Sequence, residues 1–384
     1  MATTFKTLTN NDVASTRTLL HEAIPVTGTI VSGTYNVPST YDTEGNIRNY
    51  SHGMFQSVYD YPYLSSSANH IFDVTVGFNT DSGLSKSAAD IAAGDLSGPQ
   101  QAKKVNIYNQ MAQVLVGYDA TGSILKFDRD GDIASGGAKI NEAIFINFAR
   151  LLTKDEIKKG SLELKVLTGS RATSAPNGMM TIGDYQGTTS YRTNSPAGEY
   201  GILYTSSATP NSGSGVGLLY YQAGVAVLTA SIFSALNSHD KGNTGPYDGK
   251  HASHCVFGTQ LAQILGEYDT GSINTVMSAS TISSSADGFR NRLFNLQFNN
   301  TTELNSTIYF CRANHNDFNY SANPTYLSSS KLVVKDQSTD SPVSYITSVG
   351  LYSADNELLA VAKLSEPIKK TPETELTLRV RLDY

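Results

Sequence analysis

Two rhythms of apolar and polar positions run along the chain. Strict alternation marks its last segment, TELTLRVRLDY: Leu376, Leu378, Val380 and Leu382 fall on one side, and Thr377, Arg379, Arg381 and Asp383 on the other. That is the pattern of a half-buried strand. SLELKV repeats it, with Leu162, Leu164 and Val166 opposite Glu163 and Lys165. Apolar runs bounded by Ser, Asn, Asp and Gly (GTIVSGTYNV, HIFDVTVGF, AIFINFA, VGLLYYQAGVAVLTASIF) also read as strands.

Helical spacing is rarer. Val105, Tyr108, Met111, Ala112 and Leu115 recur at i, i+3 and i+4, with Ser97 and Pro99 as a start signal and Gly117 as a stop. A second helix is predicted from Asn11 to Glu22, where Asn11 serves as cap, Val13, Arg17 and Leu20 share a face, and Pro25 ends the run. A short third one is predicted in TKDEIKKG, with Thr153 and Glu156 as a capping box and Gly160 as its stop. Asp155 and Glu156 then complement the dipole at its N-terminus. Residues 168–216 read as long exposed loops around a short strand, GILY, and FDRDGDIASGGAKI as a loop.

One motif occurs twice. QMAQVLVGYDATGSI, from Gln110 to Ile124, returns as QLAQILGEYDTGSI, from Gln260 to Ile273, with only Ala120 unmatched; ten of fourteen aligned positions are identical (Gln, Ala, Gln, Leu, Tyr, Asp, Thr, Gly, Ser, Ile). Met111 to Leu261 and Val114 to Ile264 conserve volume and apolarity. Later segments follow in similar order, IFINF and LELKV in the first copy, LFNLQF and TIYFCRA in the second. The expected architecture is therefore α+β and β-rich. An N-terminal β-rich segment (1–98) precedes two tandem modules (99–240 and 255–384), each a helix plus a small antiparallel sheet. A period near 150 residues is too long for a solenoid and suits a pair of domains that present two similar surfaces.

Composition narrows the function. Charged residues are 16 % of the chain, below the usual quarter or so, and the net charge of −6 comes without a Lys/Arg block. A phosphate-backbone footprint is missing, so no nucleic-acid partner is expected. Twenty-two Tyr and fourteen Phe with no Trp suit pleated sheets. MATTFKTLTNNDVASTRTLL has neither the basic start nor the apolar stretch of a signal peptide, and no apolar run reaches spanning length, so no membrane partner is expected either. Two cysteines, Cys255 and Cys311, cannot frame a fold of 384 residues with disulfides.

Candidate chemistry is sparse. Asp128, Asp130 and Asp132 invite a calcium reading, but Gly131 comes fourth where an EF-hand loop needs Gly sixth and Glu twelfth. With Asn141 and Glu142 near in sequence they offer ligands for a hard cation; a solvated acidic turn is the simpler reading. His251, His254 and Cys255 with Cys311 and His315 are five soft ligands in no standard zinc spacing, and surface histidines with core thiols are the default. GxSxG, HExxH and GxxxxGK[ST] are all lacking. No catalytic residue, cofactor site or metal site is assigned, and a structural or assembly role is expected rather than an enzyme's. A glycosidase's two separated carboxylates leave no local motif, and MFQSVYDYPYL, with Tyr59, Tyr61 and Tyr63, is the aromatic patch that a carbohydrate-binding or depolymerising protein would use.

The stretches STRTLLHEAIPVTGTIVSGTY, SHGMFQSVYDYPYLSSSANHIFDVTVG and SYITSVGLYSADNELLAVAKLSEPIKKTPETELTLRVRLDY resemble virion proteins of tailed bacteriophages, in particular contractile-tailed marine phages. The resemblance implies a tail-associated protein of the baseplate or neck, made in the host cytoplasm and assembled with copies of itself and other virion proteins. A capsid or head-decoration protein differs only in location. No active-site residue follows from it.

Overall fold

The computed structural model describes residues 5–30, 45–85, 100–133, 136–167, 179–205, 215–231, 281–290, 293–319, 327–328, 331–332 and 342–384. Its strands begin with β1 (Val13–Ile24), β2 (Ile47–Asn49), β3 (Gln56–Tyr59) and β4 (His70–Phe78), followed by helix α1 (Gln101–Leu115). Then come β5 (Glu142–Phe148), the single turn α2 (Arg150–Thr153), β6 (Glu156–Ile157), β7 (Glu163–Leu167), β8 (Met179–Gly183), β9 (Tyr200–Leu203), β10 (Gly217–Tyr220) and β11 (Val225–Thr229). Helix α3 (Ile282–Arg290) precedes β12 (Leu293–Ala313), β13 (Leu327–Ser328), β14 (Lys331–Leu332), β15 (Ser344–Tyr352), β16 (Leu358–Lys370) and β17 (Leu376–Asp383). The fold is α+β and β-rich, with antiparallel sheets and little helix, as the patterning predicts.

Contacts group the chain into two units, one of residues 21–302 and one of residues 1–20 with 303–384. Strands β1 and β12 contribute residues to both.

The larger unit holds the apolar core. Seven strands pair in the order β2-β3-β4-β5-β11-β10-β9, and every pairing is antiparallel. β5 and β11 are buried nearly throughout because both faces of this sheet are covered here, so their apolar residues run continuously instead of alternating. On one face Val58, Phe72, Val74, Ile144 and Ile146 enter the core, and Phe148 meets Phe298 of β12 at 5.1 Å. Leu293–Gln297 of β12 pairs with β7, which pairs in turn with β8.

Helix α1 lies on the other face. Gly77 of β4 makes this possible: a Cβ there would stand 2.7 Å from the Lys104 carbonyl oxygen and 2.9 Å from the Tyr108 nitrogen. Beside that contact Phe127 meets Tyr108, Phe145 and Tyr220, and Tyr220 meets Tyr200, with ring centroids 5.0 to 6.5 Å apart. The Tyr108 hydroxyl donates to the Ile140 carbonyl at 2.7 Å and accepts from the Phe127 amide at 3.3 Å, so its polar end is satisfied inside the core.

The helix's buried residues are Lys104, Ile107, Tyr108, Ala112 and Leu115. The predicted stripe of Val105, Tyr108, Met111, Ala112 and Leu115 is thus displaced by about one position at its start, and it places a lysine inside. Burial lowers the Lys104 amine to about 8, and its Nζ lies 6.0 Å from the Phe78 ring centre. The helix ends at the positive-φ Gly117, as predicted. The repeated sequence follows at once. Asp119 Oδ1 accepts from the amides of Thr121 and Ser123, Gly122 takes φ +83°, and Tyr118 bridges to Ile124. YDATGSI is therefore an Asp-braced turn that closes the helix. Its second copy, Gln260–Ile273, lies outside the described residues.

A second brace is buried. Asp184, just after β8, accepts from the amides of Leu162 (2.9 Å) and Gly160 (2.6 Å) and from the Tyr221 hydroxyl (3.2 Å). Burial raises its carboxyl to about 6 against the pull of these donors.

In the smaller unit β17 pairs with β12 from Ser306↔Asp383 to Ala313↔Leu376, and β15 and β16 form a separate hairpin. Lys370, at the hairpin base, is buried and donates to the His315 and Thr371 carbonyls and to Asn319 Oδ1, at 2.8 to 3.1 Å. Among the described residues of this unit only Ala313 and Val343 are buried apolar side chains.

Several expectations are corrected. Residues 11–22 are not a helix: Asn10–Asp12 form one 3-10 turn, with Asp12 Oδ2 accepting from the Thr9 amide, and Val13–Ile24 is strand β1. The β-branched Val13, Thr16, Thr18 and Ile24 favour a pleated chain, and the neighbouring β12 ladder outweighs a fortuitous helical spacing. In TKDEIKKG the helical turn ends at Thr153, Lys154 has φ +53°, and Glu156–Ile157 pairs with β12, because the fully buried Ile157 completes that ladder. Asp155 and Glu156 therefore do not open a helix. Residues 179–183, read as loop, are strand β8. The later segments of the repeat also differ in layout. IFINF and LELKV are strands of different sheets, whereas LFNLQF and TIYFCRA are the two ends of the one strand β12.

Two outcomes test this account. Gly77→Ala forces a methyl against helix backbone and should cost about 1–3 kcal/mol, read as a lower urea midpoint at unchanged slope. For Asp184 the folded-state value lies above the ordinary carboxyl value of 3.8, so the folded chain binds the proton more tightly. Its stabilising contribution is present at pH 4 and is lost as pH rises through about 6, a change of about 3 kcal/mol. Urea midpoints from pH 4 to 7 should show this fall, and Asp184→Asn should flatten it.

Candidate functional site

The helix-bearing face of the seven-stranded sheet is open at its other end. Register puts Arg48 opposite Ser57 and Ser57 opposite Asp73, and on β4 Asp73 shares a face with Thr75 and Gly77. Around these residues the rings gather. Tyr50, His52 and Phe55 lie 4.9 to 5.2 Å apart, with Tyr50 and His52 stacked at 8°. The Arg48 guanidinium sits 4.7 Å from the Tyr50 centroid and 5.8 Å from that of Tyr63. Tyr63 is 6.3 Å from Tyr59, which meets the His70 ring edge-on at 5.6 Å. One aromatic strip thus runs across β2 to β4 with a cation at its middle.

Its polar atoms are held. Asp73 Oδ1 accepts from Ser57 Oγ at 2.5 Å and is 2.8 Å from His70 Nε2, while Tyr50 and Ser57 hydroxyls are 3.2 Å apart. Burial raises the Tyr59 phenol, and its hydrogen bond with Tyr50 adds to this. Asp60 braces the loop that carries Tyr63, because Oδ1 accepts the amides of Tyr61 and Asn69 and Oδ2 accepts Asn69 Nδ2. Of the three tyrosines singled out in the sequence, Tyr59 and Tyr63 come together, while Tyr61 is exposed outside the ring contacts. Arg48, Tyr50, His70 and Asp73 were not legible as site residues. The only signal was the polar alternation of IRNY and of HIFD within strand-like runs.

The three aspartates also converge. One carboxylate oxygen each from Asp128, Asp130 and Asp132 lies within 4.8 Å of the others. Asp128 is buried and ion-paired with Lys139, across a turn in which Gly131, Gly136 and Gly137 all have positive φ. Burial, reinforced by a hydrogen bond from Asp130, raises Asp128 to about 6; the same bond lowers Asp130. Lys139 sets a positive charge against Asp128. Asn141 and Glu142 are engaged elsewhere, accepting from Asn79 Nδ2 and Ser82 Oγ. Of the soft ligands, Cys311 is half-buried with its thiol raised by burial, and His315 is 3.5 Å from Glu375. His251, His254 and Cys255 lie outside the described residues.

The smaller unit offers a different surface. Leu376, Leu378, Val380 and Leu382 share a face with Ala313, Cys311, Tyr309 and Thr307, and all four β17 residues are only half-buried. On the hairpin, Leu358, Leu359 and Val361 are 53 %, 68 % and 54 % exposed, with Tyr352 exposed opposite Leu358 and Tyr345 exposed at the hairpin's other end. Tyr352 is joined by Phe5 at 4.6 Å. No helix among the described residues is long and apolar enough to cross a membrane. Comparison with protein-family models, curated protein sequences and solved structures finds no match.

Lys139→Met tests the acidic turn. It leaves a buried carboxylate without its cation and should destabilise by about 3 kcal/mol at pH 7.5. At pH 5, where Asp128 takes up a proton, thermal unfolding should show a smaller loss.

Proposed function

We propose that the chain is a structural protein of a bacteriophage virion, associated with the tail at its baseplate or neck, and not an enzyme. The observation that carries this reading is the near absence of buried apolar side chains among the described residues of the smaller unit, beside open apolar faces on β17 and on the β15–β16 hairpin. Burying apolar area contributes roughly 25 cal/mol per Å², and patches of this kind mark interaction surfaces. A hairpin that pairs with no further strand among the described residues also leaves backbone donors and acceptors on its edges. In an assembly neighbouring subunits cover such faces. Tyrosine-rich, charge-poor composition suits subunit interfaces, which are enriched in Tyr and depleted in Lys and Glu.

The partners in this reading are copies of the chain and other virion proteins. The repeated motif, present at Gln110–Ile124 and again at Gln260–Ile273, gives the chain two related modules for docking in a symmetric particle. A place on the capsid or head uses the same surfaces at another location.

Purified virions should contain the chain at several copies per particle by quantitative mass spectrometry, and its absence from them would overturn the proposal. Leu359→Asp with Val361→Asp alters two exposed side chains. It should leave the circular dichroism spectrum unchanged while lowering incorporation into particles at least about tenfold, a loss of about 1.4 kcal/mol of association free energy.

A further inference from the structure

The aromatic strip belongs to the larger unit and plays no part in the assembly argument. Tyr50, Phe55, Tyr59 and Tyr63 are half-buried on a sheet face against which α1 packs at the Gly77 end. From Tyr50 through Arg48 to Tyr63 and Tyr59 the strip interleaves flat apolar surfaces with hydrogen-bonding groups. Arg48 is exposed, and both hydrogen bonds of Asp73 fall on Oδ1, which leaves Oδ2 as an acceptor on a side chain 23 % exposed.

We infer that this strip binds a neutral pyranose oligosaccharide, with C–H faces of its rings lying on Tyr63 and Tyr59 and its hydroxyls bonded by Arg48 and Asp73. The chemistry selects this ligand on three counts. A sugar ring presents an apolar C–H face and an equatorial rim of hydroxyls, which matches tyrosine rings flanked by one donor and one acceptor. The strip carries both a cation, Arg48, and an anion, Asp73, so it does not present a single sign of charge to demand an acidic ligand. Its side chains are also held before binding. The Asp60 brace fixes the Tyr63 loop, the Ser57 and His70 bonds fix Asp73, and two rings fix Arg48, so little conformational entropy is lost when a ligand arrives. A protein side-chain surface would instead meet half-buried polar groups that it could not satisfy.

The test is calorimetric titration of the full chain with cellopentaose, maltopentaose, chitopentaose and pentagalacturonate. The chain has no Trp, so tyrosine emission follows the same titrations. At least one neutral pentasaccharide should bind with a Kd of about 1 mM or tighter. Tyr63→Ala should weaken it at least about tenfold and Tyr63→Phe by less than about threefold, because the ring and not the hydroxyl supplies the platform. Arg48→Ala, a change at an exposed side chain, should weaken it similarly without shifting the melting temperature. No binding of any neutral pentasaccharide overturns the inference. So does binding that survives both Tyr63→Ala and Arg48→Ala, and so does binding confined to pentagalacturonate and abolished by 0.5 M NaCl, which would make Arg48 an anion site.

Discussion

Helix α1 rests on the seven-stranded sheet at the one place where β4 presents no side chain. Gly77 lets the Lys104 carbonyl and the Tyr108 amide come against the strand, and a methyl there would overlap both. Much else follows from that approach. It sets Tyr108 over Phe127 and Phe145, so the ring stack reaching Tyr200 is closed to water. It also sets how far along the sheet the helix can reach. One face of β4 is therefore dry core at Gly77 and solvent-facing at Asp73, only four residues away. Residues of the same strand and the same side chain parity pack against the helix at one end and are partly exposed at the other.

The two units differ in how their apolar residues are used. In the larger one a single cluster extends from Ile24 to Phe298, and several polar groups inside it are paired: Tyr108 with Ile140, Asp184 with two amides and a phenol, Thr27 with Asn295. In the smaller one the alternation of β17 is as regular as any in the chain, yet its apolar side is only half covered. Regular alternation specifies which face seeks burial, but not what buries it. The ion pairs Lys6–Asp317, Arg17–Glu303 and Arg312–Asp12 are largely solvent-accessible and contribute little to stability. Order in this unit comes from backbone ladders and from buried Lys370.

The parts of this fold that were legible in the sequence are those where local pattern and tertiary environment agree. HIFDVTVGF, SLELKV and TELTLRVRLDY became strands nearly as bounded, and α1 ended at Gly117 as its glycine implied. Where the two disagree, sequence misleads. Residues 11–22 satisfy a helical spacing, but the adjacent strand β12 decides their conformation, and that neighbour is almost 300 residues away along the chain. Lys104 was invisible as a core residue because nothing in the sequence announces that Gly77 will draw the helix backbone so close. For the site, the cluster of tyrosines was readable in MFQSVYDYPYL, whereas Arg48 and Asp73 reach it only through cross-strand register. Asp128, Asp130 and Asp132 read most simply as a solvated acidic turn, and the burial of Asp128 against Lys139 required the turn to fold back.

Carboxyls shift in both directions, upward most strongly at buried sites of the larger unit. In the larger unit the strongly perturbed carboxyls, Asp128 and Asp184, are raised by burial, so acidification toward pH 4 neutralises a charge that the folded state tolerates poorly. In the smaller unit Asp12, Asp317 and Asp383 are lowered, foremost by side-chain hydrogen bonds from Thr9, Lys6 and Ser306. Their contribution is present above the ordinary carboxyl value and disappears as pH falls through their lowered values. Exposure keeps each of these small, but they act on the unit with almost no apolar core among its described residues, where small terms weigh most. Mild acid therefore strengthens the larger unit, while the contributions of Asp12, Asp317 and Asp383 are lost only in stronger acid, below the ordinary carboxyl value of 3.8.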